Sequence, residues 1–82
     1  MSEKLVRDEF DRWADNGAAE RMERGHGDAT RQALDRVSFS DEDRVLDVAC
    51  GNGWAVRLMK ESGAGFAAGV DISPRMIARA QA

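Results

Sequence analysis

The run Val45-Leu46-Asp47-Val48-Ala49 is almost continuously apolar and passes directly into Cys50-Gly51-Asn52-Gly53. An apolar run of this length, bounded by glycine, reads as a parallel strand covered on both faces. Glycine lacks a Cβ, so Gly51 and Gly53 permit a tight turn in which another group can approach the backbone. Helical periodicity resumes from Trp54 to Ser62, with Ala55, Leu58 and Met59 on one side, and Gly63 and Gly65 end it. Phe66-Ala67-Ala68-Gly69-Val70-Asp71-Ile72 reads as a second strand finishing in an acidic residue. Ser73-Pro74 then opens a helix, serine as cap and proline at the first helical position, with Met76, Ile77 and Ala80 as its apolar stripe. The expected fold is α/β: N-terminal helices followed by a right-handed βαβα Rossmann-like unit with two parallel strands.

The N-terminal part carries helical spacing throughout. Val6, Phe10, Trp13 and Ala14 predict an amphipathic helix over 3–15, stopped by Asn16-Gly17. A short second helix is expected from Ala18 to Arg24, ending at Gly25-His26-Gly27. Asp28 would cap a third, reaching Val37, with Ala33, Leu34 and Val37 inward. The chain therefore divides into a helical segment, 1–39, and a Rossmann-like half-domain, 40–82, expected to form one compact unit.

Ligands of such sheets sit at the carboxyl ends of the strands, at the mouth of the first strand–helix turn. A carboxylate at the end of the second strand can accept hydrogen bonds from both hydroxyls of a ribose, and Asp71 stands there. The dinucleotide fingerprint requires a small third residue, but that position is Val56, and the phosphate-loop pattern is absent because no lysine follows the glycines. A nucleoside ligand bearing positive charge suits the neighbouring Asp47 better than a pyrophosphate does.

The combination Asp47-Val48-Ala49-Cys50-Gly51-Asn52-Gly53 with Gly69-Val70-Asp71-Ile72-Ser73 resembles the N-terminal portion of class I S-adenosylmethionine-dependent methyltransferases. The resemblance covers residues 40–82 well and 8–37 loosely. It implies S-adenosylmethionine as cofactor and S-adenosylhomocysteine as product. By position, Ala49, Cys50, Gly51, Asn52 and Gly53 would line the methionyl part, and Asp47 would orient the loop or meet the amino group through water. Asp71 would take the ribose hydroxyls, with Ile72 and Met76 beside the adenine and Trp13 a candidate lid. Ala49 departs mildly from the pattern, standing where many members have glycine. The family's sheet has several more strands, and its acceptor-facing segment has no counterpart here, so no catalytic residue is assigned. The function implied is the cofactor-binding half of a methyltransferase, active only when completed by further polypeptide. The alternative is a non-catalytic fragment serving as an oligomeric binding or assembly module. Two strands alone leave both sheet edges open, which predicts a homo-oligomer or a completing chain.

Other residues carry two readings each. Phe10 and Trp13 fit either ordinary core or a lid, where the Trp13 ring could face a sulfonium. Arg21 and Arg24 fit a solvated face with Glu20 and Glu23, or a pair with a ligand carboxylate. The lone His26 has no second ligand at metal spacing, so no metal site is expected. Cys50 has no histidine partner at hand, and a buried loop thiol is inert, so its role is shape. Asp41-Glu42-Asp43 reads as a solvated turn before the first strand. With a net charge of −3 and both signs interleaved, no nucleic-acid surface is indicated. No apolar stretch is long enough to span a membrane, and a single cysteine fits a cytoplasmic protein.

Overall fold

A computed structural model describes residues 2–82. Its elements are α1 (Glu3–Asn16), α2 (Ala18–Leu34), β1 (Arg44–Val48), α3 (Trp54–Glu61), β2 (Phe66–Val70) and α4 (Pro74–Gln81). β1 and β2 pair in parallel, with Arg44 opposite Phe66, Leu46 opposite Ala68 and Val48 opposite Val70. The architecture is the expected mixed α/β unit, helices first and βαβα after.

The helix ends follow from local chemistry. Ser2 caps α1 by accepting a hydrogen bond from the Leu5 amide at 3.2 Å. Gly17, at φ +80°, both closes α1 through its own N–H to the Trp13 carbonyl and opens α2. Arg21 reaches back to the Asn16 carbonyl at 3.1 Å, so this arginine finishes α1 rather than facing a ligand.

The expected break at Gly25-His26-Gly27 does not occur: α2 runs unbroken from Ala18 to Leu34, and Asp28 lies inside it instead of capping a third helix. Neither Gly25 nor Gly27 adopts a left-handed backbone. Each costs about 1 kcal/mol relative to alanine within a helix, which packing of the same helix against α1 and α3 offsets. Val37 falls beyond the helix and is half exposed.

The expectation that the first strand is covered on both faces is also corrected. One face of the sheet lies against α3, whereas the other, carrying Leu46, Val48, Phe66 and Val70, is 48–72% exposed. The Arg44 guanidinium lies 4.5 Å from the Phe66 ring centroid and shields part of that face. A parallel strand needs helices on both sides to justify an all-apolar sequence, and the four helices here gather on one.

Two close approaches set the position of β2. Gly65 abuts the turn before β1: a Cβ there would come within 1.8 Å of the Asp41 carbonyl oxygen. That turn is tied by Asp43, whose carboxylate accepts from the Ser40 amide at 2.8 Å. The small core joins Ala14, Ala19 and Met76, with Trp13 packed on it, so α1, α2 and α4 share it.

Candidate functional site

The site forms where β1 and β2 release the chain. β1 ends at Val48, and Ala49 turns out of the strand at φ +65°, the one non-glycine residue with positive φ among those described. Such a conformation costs an L-residue about 1–2 kcal/mol. Gly51 (φ +57°) and Gly53 (φ +83°) complete the loop without that strain. Between them Asn52 is buried; its side-chain oxygen accepts from the Trp54 amide at 3.3 Å and its carbonyl from Arg57 at 2.9 Å.

Asp71 leaves the end of β2 and binds two backbone amides: Gly51 N–H at 2.8 Å and, through its other oxygen, Ser73 N–H at 2.8 Å. An ionised carboxylate offers about four acceptor sites, so two remain for the two donors of a ribose diol. Asp47 is partly buried below the loop, and burial, reinforced by the Asp71 charge, holds its carboxyl above the usual carboxylate range. Cys50 is buried, and burial with the charges of Asp71 and Asp47 pushes its thiol up. It therefore stays a neutral thiol, in line with a role in shape.

Gly69 explains how the loop lies so close to the sheet. A Cβ at Gly69 would be 2.6 Å from both Cβ and Sγ of Cys50 and 2.9 Å from Val56 Cγ2. The small residue required for close helix–strand packing is thus on the strand, and Val56 on α3 fills the space over it.

These parts border a cavity of about 300 Å³. Of the ten residues picked out by sequence, Trp13, Ala49, Cys50, Gly51, Asn52, Asp71, Ile72 and Met76 line it. Asp47 and Gly53 do not: Asp47 lies in β1, and Gly53 turns toward α4, where a Cβ would meet Ala80 at 3.1 Å. The opposite wall is apolar and comes from Val6 and Phe10 of α1, Ala19 and Met22 of α2, and Trp54 of α3. Phe10 and Trp13 meet edge to face at 5.2 Å, and the Trp13 N–H donates to Glu9 at 3.1 Å, so the indole presents hydrocarbon to the cavity. Met22 lies inside the helix expected from Ala18 to Arg24, but nothing in the sequence placed that helix against the glycine loop. Trp54 had a signal, its place immediately after the glycine loop.

Among the described residues the cavity lining holds one carboxylate, Asp71, and no cationic side chain. The first turn of α4 offers nothing to an anion either. Pro74 has no N–H, Arg75 N–H is taken by Asp11, Met76 N–H by the Ser73 hydroxyl, and Ile77 N–H by the Ser73 carbonyl. His26 is exposed on α2 and outside the cavity, and no cluster of metal-ligating side chains occurs among the described residues.

Comparison with known proteins gives the class. Residues 45–82 match the methyltransferase domain family. The fold is similar to a chain from the complex between the Haloferax volcanii Trm112 methyltransferase activator and a protein designated there as a methyltransferase, with a TM-score of 0.78 and 32% identity. That match covers 89% of this chain and 33% of the other, so the chain spans about a third of its neighbour's length. No curated protein matches. Fold, loop and matches together define the chain as class I methyltransferase-like. No helix among the described residues is long and apolar enough to cross a membrane.

Proposed function

We propose that the chain binds S-adenosylmethionine in the cavity between the Ala49–Gly53 loop and the α1–α2 wall, as the cofactor-holding part of a methyltransferase. The observation that carries this reading is the cavity's charge: one carboxylate with two free acceptor sites, and apolar rings elsewhere. A phosphate-bearing nucleotide would meet no cation there, whereas a sulfonium and an ammonium are favoured by Asp71 and by Asp47 beneath the loop. In this reading Asp71 accepts from the ribose hydroxyls, Ile72 and Met76 border the base, and the Ala49–Gly53 backbone meets the methionyl part. Trp13 and Phe10 exclude water from above. The cofactor supplies an activated methyl group; transfer needs an acceptor aligned with it. Further polypeptide would provide that acceptor site.

Calorimetric titration of the full chain with S-adenosylhomocysteine tests this. Micromolar binding, abolished by Asp71→Ala and not matched by adenosine diphosphate, is expected. Equal affinity for the diphosphate, or no binding at millimolar ligand, overturns it.

A second reading, an assembly module, draws on the exposed Leu46, Val48, Phe66 and Val70. We propose that this face and the open strand edges are covered by a second copy of the chain. That the Haloferax volcanii neighbour comes from a complex with an activator supports protein partnership more generally. Light scattering during size-exclusion chromatography decides between copies: a monomer at micromolar concentration rejects the homo-oligomer. Cys50, a free and buried cysteine, is consistent with the cytoplasmic setting we propose.

A further inference from the structure

Asp11 lies on α1, outside the cavity lining, yet it is joined to the glycine loop by an unbroken series of hydrogen bonds. The Ser73 hydroxyl, 0% exposed, donates to Asp11 Oδ1, and the Arg75 N–H donates to the same oxygen at 3.2 Å. The same hydroxyl accepts from the Met76 amide at 3.1 Å, and the Ser73 N–H donates to Asp71 Oδ1 at 2.8 Å. Asp71 Oδ2 in turn accepts from the Gly51 N–H at 2.8 Å. Asp11 therefore acts as a second cap for α4, supplied by a helix more than sixty positions away in sequence.

Two other contacts, made by the guanidinium groups of Arg75 and Arg79, hold the same helices together without involving the Asp11 carboxylate, the Ser73 hydroxyl or Asp71. Arg75 pairs with Asp15 at 3.1 Å on the exposed surface, and Arg79 donates to the Ala14 carbonyl at 3.1 Å. They serve as built-in controls, because losing either loosens α1 against α4 but leaves Ser73 and Asp71 bonded.

We propose that Asp11 is a positioning residue: acting through Ser73, it fixes the orientation of the Asp71 carboxylate and, through Asp71, the Gly51 amide of the ligand loop. Its effect on a ligand rests on the cofactor reading above, but its effect on the loop does not. A free Asp71 side chain rotates about two bonds, and each orientation lost before binding is entropy not lost on binding. The α1 helix thereby does two things at once: Phe10 and Trp13 form the cavity wall, and Asp11 holds the acceptor opposite them.

The test uses the full chain and the variants Asp11→Ala, Asp11→Asn and Asp15→Asn. Backbone hydrogen exchange is followed residue by residue without ligand, and S-adenosylhomocysteine affinity by calorimetry. Asp11→Ala should speed exchange at Gly51, Ser73 and Met76 while β1 and β2 amides keep their protection. Affinity should fall about tenfold, the loss typical of one charge-assisted hydrogen bond. Asp11→Asn, which keeps an acceptor oxygen, should recover most of both, and Asp15→Asn should change neither. Unchanged Gly51 exchange in Asp11→Ala, or an equal effect of Asp15→Asn, overturns the proposal. If the wild-type chain fails to bind while Gly51 exchange still responds to Asp11, the positioning role stands and the cofactor reading falls.

Discussion

Replacing Gly69 by alanine tests the packing that brings the Ala49–Gly53 loop down onto the sheet. The added Cβ would stand 2.6 Å from Cys50 Cβ and Sγ and 2.9 Å from Val56 Cγ2. Carbon contacts relax near 3.5–4.0 Å, so the neighbours must retreat by about 1 Å. Cys50 Cβ cannot rotate away, because it moves only with its backbone, and that backbone is pinned by the Cys50 N–H to the Val70 carbonyl at 2.9 Å. Overpacking of this kind costs about 1–3 kcal/mol, against which alanine recovers about 0.4–1 kcal/mol by restricting the unfolded chain. The net loss is about 1–2 kcal/mol, or roughly 5–15 °C in Tm for a domain of this size. Urea and thermal unfolding followed by circular dichroism measure it directly. Trimming the neighbour should couple to the change, so Cys50→Ala should cost less beside Gly69→Ala than alone. A Gly69→Ala protein as stable as the wild type, or more so, would refute the packing argument, because glycine would then be only a flexible link in β2.

Three further outcomes are expected. Gly65→Ala should be more damaging than Gly69→Ala, since its Cβ meets the Asp41 carbonyl oxygen at 1.8 Å and the atoms it meets are all backbone, which no side-chain rotation can move; loss of cooperative unfolding is the readout. Ala49→Gly should raise the unfolding midpoint, because it removes about 1 kcal/mol of left-handed strain at φ +65° and returns part of that as chain entropy. Asp47→Asn should stabilise the protein at neutral pH. Burial and Asp71 raise the Asp47 pKa from 3.8, so wild-type stability falls as pH rises through the interval between that value and the raised one. Urea titrations across this interval should show the slope in the wild type and its loss in Asp47→Asn. Asp11, shifted downward by the Ser73 hydroxyl, has the opposite sign and contributes stability that is lost as acid lowers the pH below 3.8.

Local chemistry made the βαβα order and the glycine loop readable from sequence. The change of period at Arg44, the glycines at 51 and 53, and Ser73-Pro74 each demand one backbone form. Gly25 and Gly27 misled for the converse reason: glycine permits a break without requiring one, and tertiary packing carried α2 through. The apolar run of β1 predicted burial on both faces, yet which helices cover a sheet is a property of topology, not of the strand. Val56 departs from the dinucleotide fingerprint, but its partner in close packing, Gly69, is visible only once β2 lies beside α3. Asp11 had no signal at all. On an amphipathic helix it looks like any solvated acid, and only the α1–α4 contact places it on the Ser73 hydroxyl.

The cofactor claim is tested most directly by amide chemical shifts of the full chain during titration with S-adenosylhomocysteine. Saturable shifts at Gly51, Ser73 and the Ala49–Gly53 loop, together with the indole signals of Trp13 and Trp54, are expected if the ligand seats between Asp71 and the α1–α2 wall. Shifts confined to other surfaces, or none at millimolar ligand, would contradict it.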